Sequence, residues 1–265
     1  MPESGESPNS LQKERRALLR TPYAKEALQL AKFIFNPFAP NNPIPLDKKR
    51  LDAYRDNLKR GEILVDREEQ IRNFLPKVQA AFESTFAMEI GEQRIRNFFT
   101  SFDPHRILTI SEKNFSQIDS EVTRTKETGE LEHVGGFYHR ATQLIFIKEE
   151  ENMTEERFER VLLEELCHMF IDQQLSEKGR DRQMRKARGD YEHDPEEEIV
   201  KHMQIFLHDK QGNPLLRLLA FRKFEQPMAY RGKLRVEKIG WKKIFRGNFG
   251  PSSSENKWYK MMYKY

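Results

Sequence analysis

The sequence predicts an α+β protein in which a small antiparallel sheet packs on one long helix, with extra helices N-terminal to it. Three observations point there. Val134–Arg140 and Gln143–Lys148 are two short β-branched and aromatic runs, the first opened by Gly135-Gly136 and the two separated by a turn, which is the form of a β-hairpin. A long helix follows, from about Thr154 to Leu175, introduced by the cap signal Asn152-Met153-Thr154-Glu155. Helical spacing of Ala, Leu and Phe also precedes the hairpin, over 23–35, 47–59 and 67–86.

Taken in order, residues 1–45 read as an N-terminal arm. Gly, Ser, Pro and charges dominate it until Pro22, at a first-turn position, opens the helix Tyr23–Phe35. Four prolines between Pro37 and Pro45 then forbid regular structure and mark a linker. The body, 46–225, begins with the helices Asp47–Lys59 and Arg67–Phe86, the second expected to kink or split at Pro76. Arg106–Ile110 is a short strand, the hairpin and long helix follow, and Leu215–Phe224 reads as a further apolar helix. The last segment, 226–265, is basic and aromatic.

Composition bounds the function. The chain has 265 residues, 37% hydrophobic and 33% charged, and 19 Phe give it the material for a core. No apolar run approaches the roughly 18 residues of a membrane helix, and the first twenty residues have no apolar h-region. The expectation is a soluble protein, cytoplasmic or exported by a route without a standard signal peptide. The single cysteine excludes an internal disulfide and a multi-cysteine zinc ribbon, so a metal would need His and carboxylate ligands. The net charge of +4 is uneven: 226–265 holds ten Lys and Arg against two Glu, or +8, leaving −4 for the rest. Trp241, Phe245, Trp258 and Tyr259 interleave those bases. The segment is expected either to pack its aromatics on the body with its lysines in water, or to meet an anionic partner, nucleic acid or membrane surface.

The long helix is apolar around most of its girth, with Phe158, Leu162, Leu163, Leu166, Cys167, Met169, Phe170 and Ile171. A narrow polar stripe holds Glu164, Glu165, His168 and Asp172. Positions four apart are neighbours on a helix, so Glu164 and His168 can converge on one point. Cys167 falls on the apolar side and reads as a packed small side chain.

Leu162-Leu163-Glu164-Glu165-Leu166-Cys167-His168 resembles the active-site helix of zincin metallopeptidases, whose motif is H-E-x-x-H, with Glu164 where the first histidine belongs. The strand Gln143–Lys148 is similar to the strand beside that helix. Downstream, Tyr191-Glu192-His193-Asp194-Pro195-Glu196-Glu197-Glu198-Ile199-Val200 resembles the third-ligand segment of gluzincins of the anthrax-lethal-factor-like kind. The resemblance implies a zincin-like domain over 46–225, with Glu165 as general base and Tyr191 stabilising an oxyanion. It implies Glu164, His168 and Glu197 as metal ligands, with Glu196 and Glu198 as alternatives to Glu197. His139, His193 and His202 are substitutes if the site departs from the family. The bland alternatives are a solvated stripe for Glu164, Glu165 and His168, and an acidic first helical turn for the glutamate triplet.

Two imidazoles and one carboxylate leave a zinc site at net +1, which polarises a carbonyl and makes the bound water acidic. A Glu/His/Glu set brings that to zero, weakening the Lewis acid and suiting harder ions such as Mn²⁺ or Fe²⁺ better. Without metal, the carboxylates crowd together, and a protonated His168 with bases such as Arg157 or Lys201 would have to absorb the charge. An imidazole in place of Glu164 is expected to restore zinc binding if the rest of the site is intact. The expected function is therefore a degenerate, partner-binding pseudo-peptidase, and the resemblance to lethal-factor-like proteins implies a toxin or effector. Its alternatives are an active metal-dependent peptidase with Zn or another divalent ion, and attachment to nucleic acid or membrane through 226–265. The partner is a protein or a polypeptide substrate, and the cofactor a divalent metal or none.

Overall fold

The computed structural model describes residues 47–112, 114–115, 135–140, 142–174, 194–217, 221, 223 and 225–250. The expected arm, Tyr191, His193 and residues 251–265 lie outside them. Among the described residues, seven helices and a small sheet make an α+β fold, and no described helix is long and apolar enough to cross a membrane. The chain forms two compact units interleaved in sequence: residues 1–67 with 105–154, and 68–104 with 155–265.

The first unit contains helix α1 (Lys48–Arg60) and strands β1 (Ile107–Ser111), β2 (Gly136–His139) and β3 (Leu144–Glu149). Asp47 caps α1, its side chain accepting from the Arg50 N–H at 2.8 Å. Leu51, Tyr54 and Leu58 recur on one face of α1 and are buried with Leu108, Ile110, Phe115, Leu144 and Phe146. β3 lies in the middle of the sheet, and its run Leu144–Ile147 is completely buried.

The expected hairpin forms, with Phe137 paired antiparallel to Phe146. The sheet as a whole is mixed rather than antiparallel, because β1 joins β3 in parallel, Ile107 opposite Ile145. A parallel pair needs a long crossover, which the stretch between β1 and β3 supplies, and strand pattern alone does not reveal direction.

The second unit contains α2 (Glu68–Ile90), α3 (Glu92–Ser101), α4 (Glu155–Gln174), α5 (Pro195–Phe206), α6 (Glu225–Ile239) and the short α7 (Trp241–Ile244). Its core is aromatic. Phe170 of α4 meets Phe82 at 4.7 Å and Phe98 at 5.0 Å between ring centroids, and Phe86 meets Trp241 at 4.9 Å. Helix α2 continues through Pro76 as one helix, so the proline does not split it. An interior proline costs about 3 kcal/mol. Burial of Phe74, Val78, Phe82 and Phe86 along the same helix outweighs it at about 1.5–3 kcal/mol each. Helix α3, which the apolar pattern did not single out, is entered through Gly91 at φ 91°, a backbone conformation that suits glycine.

Leu215–Phe224 is not helical where it is described. After α5 the chain reverses through Asp209, whose side chain accepts from the Gln211 and Asn213 N–H groups. The Leu215 N–H then donates to the Leu207 carbonyl at 2.8 Å, and the apolar character of the segment reflects burial at Leu216 and Phe221. Within 226–250 three aromatics pack and the lysines face water, whereas Arg235 is buried and Tyr230 is exposed. Trp241, Phe245 and Phe249 are buried, while Lys233, Lys238, Lys242, Lys243 and Arg246 are exposed.

Candidate metal centre

The centre lies between α4 and α5, both in the second unit. Helix α4 starts with Glu155 and Glu156, which suit the positive end of the helix dipole. Its polar stripe is covered instead of solvated: Glu165 and Asp172 are buried, and the side chains of Glu164 and His168 are only 14% and 12% exposed. Helix α5 is what covers the stripe at Glu164 and His168. Pro195 occupies its first turn, and the side chain of Asp194 accepts from the Glu196 N–H at 2.8 Å.

Successive helical residues point about 100° apart, and the three glutamates after Pro195 separate accordingly. Glu196 Oε1 is 2.9 Å from His168 Nδ1. Glu197 Oε2 is 3.3 Å from His168 Nε2. Glu198, fully buried, turns to α6, where Arg231 Nε and Arg235 Nε donate to its two oxygens at 2.6 and 2.5 Å. Glu197 is thus the member of the triplet that joins Glu164 and His168, with one donor atom from each of the three lying within 4.8 Å of the others.

These three residues could hold a metal ion. The donors are one imidazole nitrogen and two carboxylate oxygens, a set that suits zinc and harder divalent ions. Glu196 on Nδ1 fixes the ring and turns Nε2 toward Glu197, the arrangement by which carboxylates orient ligating histidines. Glu197 Oε2 is buried and makes no hydrogen bond of good geometry, only the ion contact to His168. An atom so placed is available as a ligand.

The electrostatics explain how the group stands as it is. Lys201, one turn beyond Glu197 on α5 and 1% exposed, places Nζ 2.5 Å from Glu164 Oε2 and 3.0 Å from Glu225 Oε1. Glu225 also receives Arg160 Nη1 at 2.9 Å. A buried chain of alternating charge therefore runs Arg160, Glu225, Lys201, Glu164. Burial pulls the Lys201 pKa down, but Glu164 and Glu225 outweigh it and leave it above the ordinary value. Burial likewise works against the His168 imidazolium, and Glu197 and Glu196 hold it well above its usual range. Burial pushes Glu165 up to about 8, opposed by His168 and reinforced by Glu164 and Glu197. Burial and the neighbouring Glu197 push Asp194 up to about 6.

The remaining candidates among the described residues lie elsewhere or stay inert. His139 belongs to the first unit, its Nδ1 2.8 Å from Thr142 Oγ1. His202 stacks on Trp241 with planes 6° apart and centroids 5.8 Å apart, and does not join the group. Cys167 is buried, and burial pushes its thiol well up, which removes it as a nucleophile. Of the two bases named from the sequence, Lys201 is the one seen on Glu164. Its spacing of four from Glu197 was the available signal, whereas Glu225 and Arg160 carried none. No protein-family model, curated protein or solved structure matches the chain.

Proposed function

We propose that the chain is a zincin-like protein whose degenerate metallopeptidase centre binds a divalent metal ion through Glu164, His168 and Glu197 and recognises a polypeptide there. The observation that carries this reading is the convergence of the three donors within 4.8 Å, with Glu196 orienting the histidine from behind. When bound, the ion supplies a Lewis acid at the end of the α4 stripe. The chain's own residues do the rest. Glu196 fixes the His168 ring, Lys201 holds Glu164 against α5, and the buried Arg160–Glu225 pair anchors Lys201. Metal analysis of the purified chain beside His168→Ala tests the reading. About one divalent ion per chain is expected in the parent and little in the variant. A metal-free parent after incubation with Zn²⁺ and Mn²⁺ would sink it.

A second reading, metal-dependent peptide hydrolysis with Glu165 as general base, is favoured by one feature. Glu165 is adjacent to a ligand, 5% exposed, and makes no hydrogen bond among the described residues. A general base works best with a pKa near the operating pH, and the raised carboxyl of Glu165 lies in that region. Glu165→Gln separates the readings in the metal-loaded protein. Hydrolysis of a mixed peptide library that the variant abolishes, with metal retained, selects the peptidase; no cleavage by the loaded parent selects recognition alone.

A further inference from the structure

The geometry points to Glu164 and Lys201 acting as one electroneutral unit that sets the charge of the metal centre. This rests on the metal reading and deepens it. Lys201 Nζ lies 2.5 Å from Glu164 Oε2, and the two side chains are 1% and 14% exposed. A carboxylate this close to a buried ammonium does not present a full negative charge to its surroundings. The pair sums to zero, as a neutral imidazole does. The ligand set therefore behaves electrostatically as one carboxylate, Glu197, with two neutral partners, and a bound dication keeps a net charge of +1 instead of zero. Lys201 is a positioning residue: it acts on the metal through Glu164.

The placement of Lys201 is built, since the same ammonium is 3.0 Å from Glu225, which Arg160 holds in turn at 2.9 Å. Neither of those residues belongs to the metal-binding group, so the network fixes the lysine independently of a metal. The consequence runs against the simple repair of the histidine motif. Changing Glu164 to histidine leaves the Lys201 ammonium beside a site that has lost a carboxylate, so the site becomes more positive and repels a dication. An imidazole at 164 is useful only if the lysine charge is removed with it.

Four proteins test this: the parent, Lys201→Met, Glu164→His, and the double variant Glu164→His/Lys201→Met. Zinc affinity is measured by competition with a chromophoric chelator. Removing one positive charge beside a dication is expected to tighten Lys201→Met at least about tenfold, and Glu164→His alone is expected to be weaker than the parent by about the same factor. The double variant, with the site charge restored, is expected within about threefold of the parent. Zinc-induced shifts in the thermal melt give a second readout for any variant that is loose without metal. Lys201→Met should melt lower than the parent in chelator, because Glu164 and Glu225 then lose a buried counter-charge, and should gain the most on adding zinc. Glu164→His alone binding more tightly than the parent overturns the inference, as does Lys201→Met binding equally or more weakly. If none of the four binds zinc, the metal reading itself fails and this inference falls with it. Zinc binding by the parent with the wrong order among the variants overturns this inference alone.

Discussion

His202 shows what a buried imidazole does when no carboxylate meets it. Its ring lies against Trp241 and near Phe206, its Nδ1 is buried without a hydrogen bond, and burial with the Lys233 charge lowers its pKa to about 4. His168, on the neighbouring helix, is driven the other way by Glu196 and Glu197. His168 was the expected ligand and His202 a substitute for it; in the structure the partners across the helix interface separate them. The depressed pKa makes a signed prediction. The unfolded chain binds a proton at His202 below about 6.5 while the folded one does not until about 4, so this contribution is complete above pH 6.5 and is lost as pH falls toward 4. Between pH 7 and pH 5 the loss is on the order of 2 kcal/mol. Urea midpoints of the parent and of His202→Phe across that range check it. The parent's midpoint should fall more steeply with acid than the variant's, and parallel pH dependences would show that His202 titrates normally.

At the level of elements, α5 is shaped by two neighbours that divide its faces. Glu196, Glu197 and Lys201 meet α4, while Glu198 and His202 meet α6. Helix α6 comes so close at Gly232 that a Cβ there would lie 1.8 Å from the Glu198 carbonyl oxygen and 2.7 Å from His202 Cβ. In an exposed helix Gly→Ala gains about 1 kcal/mol from propensity. Here the clash is with backbone, which no rotamer change relieves, so Gly232→Ala is expected to cost about 3 kcal/mol instead. A urea titration decides it, and a midpoint equal to or above the parent's would show that the helices can separate cheaply. The start of α5 was legible because Pro195 and the acidic first turn are local signals. The face that each glutamate presents to a partner was not, because the partner helices α4 and α6 are distant in sequence and no local pattern encodes their pairing. The long helix α4 was read correctly as mostly buried. Its polar stripe was open to two readings, since a charge-lined site and a solvated face have the same periodicity.

Across the whole molecule, the two compact units interleave, so sequence boundaries at 45/46 and 225/226 do not coincide with either. The α+β class was legible from the hairpin and the helices. The parallel partner of β3 was not, because it depends on pairing across a long stretch of chain, whereas the packing of the aromatics in 226–250 was one of the two readings open for that segment. Of the C-terminal stretch, Arg231 and Arg235 supply the counter-charges of the fully buried Glu198, and Trp241 and Phe245 enter the aromatic core. Deleting 226–265 to test attachment to nucleic acid or vesicles would therefore remove part of the fold; charge reversal at the exposed Lys242, Lys243 and Arg246 tests the surface without doing so. The same reasoning gives the last prediction. A chain ending at residue 224 leaves Glu198 buried with no guanidinium, a loss of about 3–5 kcal/mol, and uncovers the aromatic core as well. Together these approach the stability of a whole domain, roughly 5–15 kcal/mol, so the truncated chain is expected to lose cooperative thermal unfolding and to bind a hydrophobic dye at room temperature. Glu198→Gln in the full chain separates the two causes: it removes the charge but keeps α6, and should lower the midpoint while leaving the transition cooperative. A truncated chain that still melts in one sharp transition near the parent's temperature would mean that α6 is an appendage after all.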